Sequence, residues 1–87
     1  MESWGDMAEK ISDRLIKNGY EKLADEMNLQ YGAGGTAGEM FTILCVWLAK
    51  MRNSKNEAYT LIKKDAEILL NYAVQLKYFT NNSLDRL

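Results

Sequence analysis

From Ala37 to Arg52 the chain reads AGEMFTILCVWLAKMR, and between Glu39 and Lys50 no charged residue interrupts it. At about 100° per residue, Met40, Leu44, Trp47, Leu48 and Met51 gather on one side, flanked by Phe41 and Ile43. Thr42, Cys45, Val46 and Ala49 form a ridge of small residues on the other side. A helix that is apolar nearly all round has to be enclosed on several sides. The small ridge lets a second helix come close, because interaxial distance follows the side chains at the contact. This one segment therefore dictates a fold in which a central helix is surrounded by others.

The rest of the sequence supplies those neighbours. There is no proline in the 87 residues, and no stretch shows the alternation of a strand. A first helix is predicted from about Ser3 to Asn18-Gly19, with Trp4, Met7, Ala8, Ile11 and Leu15 as its inner stripe. Asn-Gly is the stop signal. A shorter amphipathic piece, Tyr20 to Asn28, turns Tyr20, Leu23, Ala24 and Met27 inward. The last helix is predicted over Glu57 to Phe79, after a tight connection at Asn53-Ser54-Lys55-Asn56, with a docking turn after Asn81-Asn82. The expected fold is all-α: a single domain over 1–87, a compact bundle of three main helices plus one short helix. The last two helices form an antiparallel hairpin.

The glycine-rich stretch YGAGGTAGEMF has four glycines in the seven residues 32–38 and matches the relaxed dinucleotide pattern G-x-G-x-x-A. That pattern carries meaning only after a buried strand, and Asp25 to Gln30 forms none. The phosphate-loop reading fails because Glu39, not lysine, follows Gly38. Thr36 and Glu39 instead fit a capping box at a helix start, and Ser54 and Glu57 repeat the spacing before the last helix. The stretch reads as a joint between helices.

The chemistry is narrow. Without histidine the chain lacks the commonest general base and metal ligand. Cys45 is alone in an apolar run, which precludes an internal disulfide, suits a reducing compartment and makes the thiol inert. No carboxylate cluster has metal-site spacing, so no catalytic residue, cofactor or metal is expected. The longest apolar run is far short of the ~20 residues of a membrane span, and no secretion signal is read at the N-terminus, so the expected location is cytoplasmic. Asp65 falls between two apolar stripes and is expected at a rim or beside a lysine, arginine or tyrosine.

Two surfaces remain as candidates for function. The last helix has a seam of Ala58, Ile62, Ala66, Leu69, Ala73 and Leu76, and a second stripe, Leu61, Ile68, Tyr72 and Phe79, about 90° away. With Val46 and Trp47 of the preceding helix, Leu61, Ile68, Tyr72 and Phe79 compose the expected partner interface, used by a homodimer or another protein. The expected function is that of a non-enzymatic protein-interaction module, whether adaptor, regulator or immunity-type binding protein. The alternative is a nucleic-acid-associated regulator using Lys50, Arg52, Lys55, Lys63 and Lys64 at the hairpin end. Residues 1–39 hold eight acids and four bases, and residues 40–87 hold seven bases and four acids, so the basic side is real. The net charge of −1 works against it, and a helix-turn-helix over Ser12 to Asn28 would put Leu15 at a small-residue position and Asp25 at an apolar one.

Overall fold

The structure is a computed structural model and describes residues 3–87. Helix α1 spans Trp4–Lys17, α2 Glu21–Gly32, α3 Ala37–Asn53, α4 Tyr59–Gln75 and α5 Asn81–Asp85, with no strand among the described residues. The fold is all-α, as the periodicity predicts. Its second helix is longer than expected, running to Gly32, so four long helices compose the bundle and α5 is an addition.

Local sequence sets most of the boundaries. The Ser3 hydroxyl accepts from the Asp6 backbone N–H at 3.1 Å and starts α1. Gly19 ends it at φ +86°, with Tyr20 N–H bonded to the Leu15 carbonyl at 2.8 Å and Gly19 N–H to that of Ile16 at 3.1 Å, a Schellman closure. Thr36 caps α3 by accepting from Glu39 N–H at 3.1 Å, as the sequence predicts. The Glu39 carboxylate reaches back one residue further than expected, to Gly35 N–H at 3.3 Å.

The expected second capping box does not form. Lys55 takes a left-handed conformation at φ 57° and closes α3 by the same two-bond pattern. The Asn56 side chain then accepts from Ala58 N–H at 2.9 Å, so α4 begins at Tyr59. At its far end α4 stops at Gln75 rather than Phe79, because Lys77 at φ 63° repeats the closure, with Tyr78 N–H on the Ala73 carbonyl at 3.0 Å.

The four long helices form a closed ring: α1 packs on α2, α2 on α3, α3 on α4 and α4 on α1. The radius of gyration, 11.9 Å, is that of a compact chain of this length. Phe41 near the start of α3 touches Tyr72 near the end of α4 at 5.8 Å between ring centroids, which makes the α3–α4 pair antiparallel. Trp4 stands against both Phe41 and Tyr31, so the start of α1 meets the start of α3 and the end of α2. The core is continuous, from Ile11 and Leu15 through Leu44 and Leu48 to Ile62, Leu69 and Leu70.

The glycine joint is shaped by one close approach. A side chain on Gly34 would put its first carbon 2.8 Å from the Met40 backbone nitrogen. Only glycine lets the loop lie that tightly on the first turn of α3.

Candidate interaction face

The apolar surplus of α3 is absorbed within the chain. Cys45 and Ala49 of its small-residue ridge are fully buried, and the Cys45 thiol lies 3.9 Å from the Leu69 carbonyl of α4. Burial pushes that thiol up to about 12, so it is inert at neutral pH. On another side α2 covers Trp47, whose indole N–H donates to the Glu26 carboxylate at 2.9 Å. Trp47 is only 7% exposed and is a core residue, not part of an interface. The sequence suggested otherwise because the pairing of Trp47 with Glu26 joins two separate helices, and no local pattern encodes it.

A third side of α3 is overlaid by residues 78–87. Tyr78 stacks near Phe41 at 6.0 Å and stands beside Gly38, at the start of α3. At the other end Asn53 donates to the Leu84 and Leu87 carbonyls at 2.7 and 3.1 Å, and Leu84 is sealed in the core. Thr80 and Ser83 form a reciprocal capping box that starts α5. Val46 lies between these ends on the face that carries Thr42 and Asn53, and is half-buried, as is Phe79. Tyr78 also walls a shallow open depression of about 450 Å³ with Thr36, Gly38, Glu39, Thr42 and Ile43.

The outer face of α4 is different. Ile68 is 48% exposed, Tyr72 37% and Leu76 43%, and the three follow one another at four-residue steps. They therefore stand in one row along the helix, and Leu61 continues it half-buried toward the other end. Two of the residues expected at an interface, Ile68 and Tyr72, are thus displayed to solvent, Leu61 is at their margin, and Val46 and Phe79 belong to the α3 side. Leu76 joins the row although the sequence placed it in the inner seam. Isolated exposed apolar residues elsewhere, Ile16 on α1 and Leu29 on α2, make no such row.

One edge of the row is polar and already paired. Arg14 of α1 donates to the Leu61 carbonyl at 3.3 Å and lies 3.8 Å from the Asp65 carboxylate. Asp65 thus lies at the α1–α4 seam beside an arginine, one of the partners the sequence led one to expect. The basic set divides as well. Arg52 bridges Asp85 at 2.8 Å and Glu67 at 3.8 Å, tying α5 to the hairpin. It is not a free anion-binding group. Lys50, Lys55, Lys63 and Lys64 are exposed.

Among the described residues no group of cysteine or acidic side chains could hold a metal, and no helix is long and apolar enough to cross a membrane. Compared with known proteins, the chain matches no family model, no curated protein and no solved structure.

Proposed function

We propose that this chain is a non-enzymatic protein-binding module, an adaptor, regulator or immunity-type protein, that works through the outer face of α4, in a homodimer or with another protein. The observation that carries this reading is the row Ile68, Tyr72 and Leu76, each more than a third exposed on a bundle that encloses its other long apolar stripes. Large apolar side chains gathered in one row on a small domain mark contact sites. An aromatic at the centre of such a row is the residue type that dominates binding energy.

The basic end is less favoured, because Arg52 already faces the carboxylates of Asp85 and Glu67, which offset its charge. The test is a photoreactive phenylalanine analogue placed at Ile68, Tyr72 or Lys63 and irradiated in the producing cell. Lys63 stands about 180° round α4 from Tyr72. Covalent adducts at positions 68 and 72 and none at 63 are expected. Adducts at 63 alone, or at no position, would refute the reading.

A further inference from the structure

Away from the α4 face, we infer that Asn18 is a site of spontaneous deamidation, held back by the closure of α1 and modified when that closure opens. Of the seven asparagines, Asn18 alone is followed by glycine. Asn18 and Gly19 are both exposed at the turn between α1 and α2. In the reaction the Gly19 backbone nitrogen attacks Cγ of the Asn18 side chain. The new C–N bond closes a succinimide ring, the Cγ–Nδ2 bond breaks, and ammonia leaves with the proton of the Gly19 amide. Water then opens the ring at either carbonyl, giving aspartate or its β-linked isomer at position 18. A side chain on the following residue hinders the attack, and glycine has none.

The folded turn delays this step. Ring closure needs the Asn18 Cβ and the Gly19 nitrogen on the same side of the Cα–C bond, and at ψ 15° the nitrogen of Asn18 itself takes that side. The Gly19 N–H is bonded to the Ile16 carbonyl at 3.1 Å, and the Asn18 amide donates to the Arg14 carbonyl at 2.7 Å. Rotating Asn18 into the reactive arrangement breaks these bonds together with that of Tyr20 N–H to the Leu15 carbonyl. The reaction therefore waits on local opening of the turn. Neither product restores the closure. An ionised carboxylate has no hydrogen to donate to the Arg14 carbonyl, and it sets a negative charge on the negative end of α1. The isomer also lengthens the main chain by one carbon before Gly19, shifting the Gly19 and Tyr20 N–H groups off their carbonyls. The change runs one way, and a modified chain opens more readily than an intact one.

The experiment incubates the full chain at mildly alkaline pH, folded in buffer and unfolded in urea. Peptide mapping by mass spectrometry follows each asparagine for the gain of about 1 Da that marks its conversion. In urea, Asn18 should be converted faster than any other asparagine. In the folded chain its conversion should slow about tenfold or more, and hydrogen exchange at the Gly19 and Tyr20 amides should be slowed to a similar degree. Asn18→Asp, which supplies one product outright, should lower Tm at neutral pH by about 4–8 °C. Another asparagine leading in urea, equal rates at Asn18 in the folded and unfolded chain, or an Asn18→Asp variant that melts no lower than the parent would each overturn the inference.

Discussion

Tyr59→Phe should make this protein more stable. Tyr59 is the first residue of α4 and is 6% exposed, and its hydroxyl is buried without a hydrogen-bond partner. Removing it breaks no bond and relieves the ~1–3 kcal/mol that a buried unsatisfied polar group costs. The void of one oxygen atom offsets part of this, leaving a gain of about 1 kcal/mol, or about 4–8 °C in Tm for a domain of this size.

A second readout comes from pH. Burial, and then the charge of Glu67, push the Tyr59 phenol from 10.0 up to about 12, with Arg52 acting in the opposite direction. A raised pKa means that the neutral phenol is favoured by folding. The contribution is complete below pH 10.0 and is lost as the pH rises toward about 12, because the unfolded chain ionises first. Phenylalanine has no such loss, so the advantage of the variant should widen between pH 7 and pH 11. Cys45 titrates over an overlapping range but is common to both proteins and cancels in the difference. Urea unfolding at the two pH values, followed by tryptophan fluorescence, measures both effects. A variant less stable than the parent at pH 7, or a gap of constant size, would refute the reasoning.

Lys77→Gly should stabilise the fold by about 0.5–1 kcal/mol, because φ 63° strains a lysine and suits glycine. Thermal melting checks it. Gly34→Ala should destabilise by about 1–3 kcal/mol, since the new carbon would collide with Met40 backbone atoms, whereas Gly32→Ala, facing open space, should cost nothing. Denaturant midpoints of the pair settle the contrast. Arg52→Gln should release α5: amide exchange at residues 81–85 should quicken while global stability falls by about 1 kcal/mol or less.

The residues that announced themselves in the sequence act at short range. Ser3 and Thr36 cap their helices, and Gly19 closes α1 in the left-handed conformation that its lack of a side chain allows. Lysine has no comparable preference, so the closures at Lys55 and Lys77 were illegible, and with them both ends of α4. The candidate face was half legible. The spacing of Ile68 and Tyr72 showed a stripe to one side of the seam, but which stripe a neighbour covers is decided by tertiary packing. Trp47 looked available until the packing of α2 on α3 brought Glu26 to its indole, and Val46 until residues 78–87 returned along α3. The partner of Asp65, Arg14, lies on the first helix, a pairing that no local pattern encodes.

Because the long helices close on one another in a circle, each is gripped from two directions and none hangs at the margin. Melting any one of them uncovers two neighbours at once, so partial states should be costly and the four should come apart together. Residues 81–85, moored to Arg52 and Asn53 of α3 by a few polar ties and to the core by a single leucine, stand outside that bargain. Loss of order in this protein should begin there, well below the temperature at which the circle breaks.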